Sequence, residues 1–516
     1  MAIKQKIFMG IVALYAVFAF VRVLFPDLDH GDEFTDANVM NAGINFVKYG
    51  FSKTCFLPSF EVQQSTPVNV YLTCPPGSEI FNGLLRKCFN INSLYVFRII
   101  ALLISFLGLI FWYLLVKKVT NSGGIALLTA FFYICHPFFL YGFDSLNEPS
   151  LSEVFKFGFL YLAALFVKTE NRQYKNLALA LMCVCFFLMS FITYEYTIYL
   201  ALFLILFWKW HGKKIFCKEI YLLLTIPIAS FLLHLAQDVY YLGGVTKTLD
   251  FMKTTLVRRI FDSPDAPGKL NFFAWFGMLS HYFSQALIFP LLMNTVLVFS
   301  SIIFYYNSDG ETKDKARKAL KLLFILLICG LTWYVLFPAH AYAHMYVGFL
   351  VRLIIPFAVI SVSLFAYLSW KSALKSGVKL CLLLWCFTIF FLGWESVQNS
   401  TLPVNSKKIY QSGSFIKFKN CLTVLKNKSR KSDVVGVNYY RYPFIRYYTD
   451  RKVASISTDM ELIGLEKLPE YFIFMPYNHQ VAARLLETLK ARYDIFFQCD
   501  SDMFPAVIWK LKPLQK

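Results

Sequence analysis

Eleven apolar stretches divide the chain, at 7–25, 94–116, 124–142, 150–167, 176–191, 196–208, 219–236, 284–306, 320–337, 347–369 and 378–395. A hydrocarbon core about 30 Å thick takes roughly 20 apolar residues per helical crossing, so the pattern predicts a multi-pass α-helical membrane protein of about eleven transmembrane helices. The first stretch, IFMGIVALYAVFAFVRVLF, follows Lys4 and Lys6. It is long for a signal-peptide core and no small-x-small site follows, so it reads as a retained helix. Residues 174–210 are long for one helix and short for two. They read as a shallow hairpin turning at Thr193-Tyr194-Glu195-Tyr196, or as one long tilted helix.

Three polar regions exceed connectors. Segment 26–93 carries Pro58, Pro67 and Pro75-Pro76-Gly77, which argue against a continuous helix. Segment 237–283 contains LDFMKTTLVRRIF, whose apolar residues recur at helical spacing and predict an interfacial amphipathic helix. The remainder, 397–516, is soluble in composition. Its strands DVVGVN, KVASIS, YFIFM, DIFFQCD and AVIWKLK alternate with helical stretches such as HQVAARLLETLKAR, the pattern of a small α/β domain. The expected organisation is a membrane domain at 1–396 followed by an extracytoplasmic domain at 397–516.

Composition agrees with this class. The 516 residues are 57% hydrophobic and 16% charged, which excludes an ordinary soluble globule. The net charge of +20 does not indicate nucleic acid, because its surplus sits in alternate loops and the C-terminal region without a recognition motif. Those loops carry Lys117 and Lys118; Lys168, Arg172 and Lys175; Lys209, Lys213, Lys214 and Lys218; Lys313 to Lys321; and Lys371, Lys375 and Lys379. Basic loops mark the cytoplasmic side, which puts the N-terminus inside and the C-terminus outside. Both acidic clusters, Asp32-Glu33 and Asp144 with Glu148, then fall on the outer face, where an acid at a membrane boundary points to chemistry or transport. Of twelve cysteines, Cys55, Cys74 and Cys88 share one outer segment and Cys421 and Cys499 the outer domain, where disulfides are permitted; Cys55–Cys74 and Cys421–Cys499 are the expected pairs, with free thiols as the alternative.

Four stretches together resemble the GT-C superfamily of integral-membrane glycosyltransferases, in the branch of protein O-mannosyltransferases and bacterial aminoarabinose transferases. They are HGDEFTDANVMNAGINFVKYG, FRIIALLISFLGLIFWYLLVKKVTNSGGIALLTAFFYICHPFF, FDSLNEPSLSEVFKFGFLYLAAL and HMYVGFLVRLIIPFAVI. The resemblance implies transfer of a sugar, with inversion, from a polyprenyl-phosphate sugar to an acceptor hydroxyl. Inverting transfer needs a carboxylate to take the hydroxyl proton and positive charge for the departing phosphate. Carried over, Asp32 is the base, Glu33 its neighbour, and Glu148 the second acid with Asp144 as its alternative. A plain helix start is the other reading of Asp32.

The phosphate candidates are Arg352, Arg258, Arg259, Arg98 and Lys156. Arg352 lies about 7 Å inside its helix at 1.5 Å per residue, where a guanidinium meets a phosphate bidentately or snorkels. Lys156 also stands one turn from Glu153 and can pair with it. Glu195 sits near the outer interface. His340 and His344, at i,i+4, suit acceptor contact or packing; no third metal ligand is evident, so no metal or other cofactor is expected. His136, before Pro137, reads as satisfying a kinked backbone.

Expected partners are the lipid-linked donor, membrane lipid, and a glycan, lipid or protein acceptor. The expected location is a bacterial inner membrane with the site facing the periplasm, in O-antigen or lipid modification. A lipid-linked glycan flippase is the alternative from another class, although no repeat is visible. A polysaccharide polymerase or ligase is the nearer enzymatic one. The orientation is checked by reporter fusions at Lys313 and Ser412, which should report opposite sides of the membrane; matching signals contradict it.

Overall fold

The structure is a computed structural model describing residues 3–23, 33–61, 69–136, 144–146, 148–261, 272–282, 288–343, 349–401, 413–438, 442–475, 479–499 and 506–513. Helices account for most of it. The N-terminal series is α1 Ile3–Val23, α2 Glu33–Tyr49, α3 Gly77–Phe89, α4 Leu94–Thr120, α5 Gly123–Cys135, α6 Glu148–Lys168, α7 Arg172–Ile192, α8 Tyr194–Trp210 and α9 Lys218–Leu242. It continues with α10 Val245–Phe261, α11 Phe272–Tyr282, α12 Ile288–Tyr306, α13 Gly310–Leu336, α14 Pro338–Ala343, α15 Phe349–Lys371 and α16 Ser376–Thr401. Among the described residues α4, α7, α9 and α13 are long and apolar enough to cross a membrane. The chain is a helical membrane protein.

Local chemistry sets the boundaries. Asn171 starts α7 by accepting from Gln173 N at 2.9 Å and Tyr174 N at 3.2 Å, and Asp309 starts α13 by accepting from Thr312 N at 2.6 Å. Both are side-chain caps of otherwise unpaired amides. Thr193 alone separates α7 from α8. It is extended (φ −157°, ψ 140°), and its Oγ1 accepts from Glu195 N at 3.4 Å. The expectation of shallow half-length helices here is corrected, because α7 has 21 residues, about 31 Å of rise. His136 also differs from expectation: it is the buried extended residue that ends α5, rather than a kink within a longer helix. Segment 237–242 continues α9, and α10 fills much of what read as a loop.

A mixed five-stranded sheet lies near the C-terminus, built from β1 Val434–Val437, β2 Lys452–Ser455, β3 Tyr471–Phe474, β4 Tyr493–Cys499 and β5 Ala506–Leu511. Its order is β2-β1-β3-β5-β4, parallel across β2, β1 and β3 and antiparallel from β3 through β5 to β4. Helices α17 Gly413–Lys428, α18 Tyr442–Thr449, α19 Asp459–Ile463 and α20 His479–Arg492 alternate with the strands. One face of the sheet has a core of its own, with Leu462, Phe472, Leu485, Leu489 and Trp509, and the other face shares its core with the membrane helices. Phe418, Leu422, Val435, Phe444 and Ile473 bury in one cluster with Ala37 and Met40 of α2, Phe97 of α4 and Leu146. Asn41 donates to Pro443 O at 3.3 Å and Arg446 to Phe60 O at 2.8 Å across the same seam.

Cys421 and Cys499 form a disulfide joining α17 to β4. The expected Cys55–Cys74 bond is absent; both are free thiols. Their surroundings explain it. The Cys55 backbone is turned to φ 55° and its carbonyl held by Gln237 at 2.9 Å, while Cys74 Sγ packs 3.5 Å from the Arg259 guanidinium.

The deepest polar contact ties three elements together. Arg98 of α4 and Asp36 of α2 are both fully buried, and Arg98 Nη1 donates to Asp36 Oδ2 at 2.8 Å. The same nitrogen donates to Asp144 O at 2.7 Å. Asp36 Oδ1 accepts from Ser145 Oγ and Leu146 N, each at 2.9 Å.

Two measurements follow from this fold. Peptide mapping without reduction should recover Cys421 linked to Cys499 and alkylate Cys55 and Cys74; a Cys55–Cys74 peptide contradicts the arrangement. Asp36→Asn strands the Arg98 charge and should cost about 3–5 kcal/mol, whereas replacing both partners by apolar residues costs far less. Thermal unfolding in detergent should therefore rank wild type and Asp36→Leu/Arg98→Met above Asp36→Asn, and an Asp36→Asn midpoint equal to wild type refutes this role.

Candidate active site

The Asp36–Arg98 contact brings the start of α2 close to the segment that leads into α6. Glu33 opens α2 three residues before Asp36, about 4.5 Å along the axis. Glu148 opens α6 two residues after Leu146, whose amide Asp36 holds. Asp144 is itself buried, with its carbonyl on Arg98. Asp32, His344 and the side chains of Glu33, Glu148 and Arg352 lie outside the described residues. The backbone thus brings the starts of α2 and α6 together, which sequence distance alone conceals.

From there a polar line runs down α6. Tyr133 OH donates to Glu153 Oε2, and Lys156 Nζ to Glu153 Oε1. The Lys156 ammonium also sits 4.5 Å from the Phe157 ring centroid and 4.7 Å from that of Tyr196, within range of cation–π attraction. Lys156 is 1% exposed and matched by Glu153, so its charge serves this internal contact. Arg98 is likewise engaged within the protein. Both cations are thus paired within the protein.

Tyr196 belongs to the first turns of α8, where Glu195 is also buried. Its neighbours Tyr194 and Thr197 line a cavity of about 460 Å³. Phe231, Leu235, Phe251, Met252, Leu256 and Phe337 make its wall apolar, the usual build of a small-molecule site with a few placed polar groups. Those groups are Arg259, Tyr194, His234, Asp238 and Thr73. Arg259, in the last turn of α10, donates from Nη2 to Thr73 O at 2.8 Å and to Cys74 Sγ at 3.5 Å. One corner of the guanidinium is anchored, and the planar fork has further donors. Desolvation pushes the Cys74 thiol up from its ordinary pKa, so at neutral pH the thiol stays uncharged and does not itself pair with Arg259 as an anion.

The loop bearing Thr73 and Cys74 is fixed by close packing. A Cβ on Gly77 would come within 2.5 Å of Phe191 O at the end of α7, so only glycine permits α3 to start against the α7–α8 break. Arg258, next to Arg259, is exposed. Half-buried His340 accepts from Trp333 Nε1 at 3.3 Å through Nδ1. Among the described residues no three His, Cys, Asp or Glu side chains gather as for a metal.

Sequence reasoning missed Asp36, Tyr194, His234 and Asp238. The signals were present: Asp36 closes the same Asp-Glu-Phe-Thr-Asp run as Asp32, and His234 and Asp238 are an i,i+4 polar pair in an otherwise apolar helix, which is costly without a purpose.

No family model and no curated protein matches this sequence. Solved structures of similar course do exist. ArnT from Cupriavidus metallidurans bound to undecaprenyl phosphate aligns over 98% of both chains at 11% identity with a TM-score of 0.49, and its apo state over the same shares at 0.46. The Archaeoglobus fulgidus oligosaccharyltransferase, in complex with Zn and sulfate, aligns over 97% of this chain and 74% of its own at 10% identity and a TM-score of 0.46.

Proposed function

We propose that this chain is an inverting glycosyltransferase. It moves a sugar from a polyprenyl-phosphate sugar to an acceptor hydroxyl of a surface glycan, lipid or protein at the outer face of the membrane. The observation that carries this reading is the cavity, an apolar chamber between helices α8, α9 and α10 with an anchored guanidinium in its wall. A polyprenyl chain needs apolar surface, and its phosphate needs a cation with several donors. Arg259 supplies that, and Arg352 is the second cation assigned to the phosphate.

The chemistry divides between two ends. The acceptor oxygen attacks the anomeric carbon as the bond from that carbon to the phosphate oxygen breaks. Asp32 takes the acceptor proton, with Glu33 and Glu148 holding the acceptor. The lipid phosphate leaves with its charge on Arg259, which stabilises it more strongly than water does in a site of low dielectric. The polar side chains of α6 join the ends: Lys156 lies eight residues from Glu148, roughly 12 Å along the helix, and touches Tyr196 beside the cavity. The Cys421–Cys499 disulfide supports an oxidising compartment, and the shared core keeps α2 on that same side. A bacterial inner membrane with the site facing the periplasm fits this sidedness.

Asp32→Asn tests the base. Asparagine caps a helix as well as aspartate, yet removing a general base lowers rate by about 10²–10⁴. With radiolabelled undecaprenyl-phosphate sugars and an envelope extract as acceptor, the purified variant should bind donor normally and transfer at least a hundredfold more slowly. Near-normal transfer by Asp32→Asn makes the acid pair an ordinary helix start. An Arg259→Ala variant should instead lose donor affinity, and unchanged affinity removes Arg259 from the phosphate.

A further inference from the structure

One polar group in the cavity wall is not used by phosphate recognition. His234 and Asp238 stand one turn apart on α9, both lining the cavity, at 3% and 4% exposure. Tyr194 OH is hydrogen-bonded to His234 Nδ1. With the phenol, the stronger acid of the two, as donor, Nδ1 accepts and the ring proton sits on Nε2, the nitrogen that faces Asp238. Nε2 lies 3.7 Å from Asp238 Oδ1, beyond hydrogen-bond length. Among the described residues neither atom has a hydrogen-bond partner. A buried donor and a buried acceptor therefore stand side by side and unmatched, an arrangement that costs stability unless something fills it.

The group that satisfies both at one atom must accept from Nε2–H and donate to Oδ1. A hydroxyl does this, whether of a resting water or of a ligand that displaces it. An ether or an isoprenoid methyl does not, and a phosphate oxygen would meet the Asp238 carboxylate as a like charge.

We propose that His234 and Asp238 clasp one sugar hydroxyl of the lipid-linked donor, so that this pair distinguishes a sugar-bearing lipid phosphate from the bare lipid phosphate. This rests on the donor reading above and adds to it the element that reads the sugar. Arg259 holds the phosphate from the same cavity. Tyr194 is a positioning residue that fixes the imidazole tautomer.

The test measures binding to the purified full-length protein in nanodiscs. The probes are undecaprenyl phosphate and a panel of undecaprenyl-phosphate hexoses and pentoses. Wild type should bind at least one sugar-bearing lipid about tenfold or more tightly than the bare lipid, the worth of hydrogen bonds to a charged partner. His234→Phe and Asp238→Leu should each abolish that preference and leave bare-lipid affinity within about twofold, which also certifies their folding. Either variant suffices if the other fails to fold. In ¹⁵N spectra, Tyr194→Phe should shift His234 from the Nε2-protonated form to a tautomer mixture without altering bare-lipid affinity.

A wild type that binds both lipid classes equally, or a preference that survives in the variants, overturns the clasp while the donor site stands. A wild type that binds none of these lipids overturns the donor site and the clasp together.

Discussion

The contact between Asp36 and Arg98 organises the rest. Two opposite charges, both fully buried, are expensive to desolvate and tolerable only with good geometry and further hydrogen bonds. Here the carboxylate takes a guanidinium, a hydroxyl and an amide, and the guanidinium takes a backbone carbonyl as well. Removing any partner exposes the others' desolvation. The joint is therefore specific in geometry: it fixes α2, the start of the long apolar α4, and the 144–146 segment that leads into α6. Two acid-bearing helix starts separated by over a hundred residues become neighbours because a third acid between them is buried.

The same economy of buried charge extends along α6 to α8. Lys156 is matched by Glu153 and flanked by aromatic faces, and Tyr133 completes the carboxylate. These groups hold the polar interior rigid. The cavity differs in kind. Its wall is mostly apolar, and its polar atoms include a partly anchored guanidinium and a His–Asp pair without hydrogen bonds between them. The charged groups of the frame are paired with one another, and the His–Asp pair of the chamber stands without a hydrogen bond between its members. That contrast separates structural charge from charge held ready for a ligand.

Much of the architecture was legible in the chain because its signals are local. Each of the eleven apolar runs contains a described helix, and the five segments with β-branched and aromatic enrichment are the five strands. The site was less legible, since burial is a tertiary property. Arg98 and Lys156 looked like phosphate ligands because a cation in an apolar run suggests function; their partners Asp36 and Glu153 turn them inward. Cys55 and Cys74 share one segment between helices, but backbone turns and the Arg259 side chain hold them to other contacts. The cavity draws residues from 72–73, 194–198, 227–238, 251–259 and 333–337. No pattern within one segment announces such a chamber.

The account stands most directly on where a lipid phosphate binds. A cryo-electron microscopy map of the protein in nanodiscs with undecaprenyl phosphate tests it in one measurement. The account predicts phosphate density about 3 Å from the Arg259 guanidinium and polyprenyl density along Phe231, Leu235 and Phe251. Lipid phosphate bound elsewhere, with the cavity empty, would contradict it.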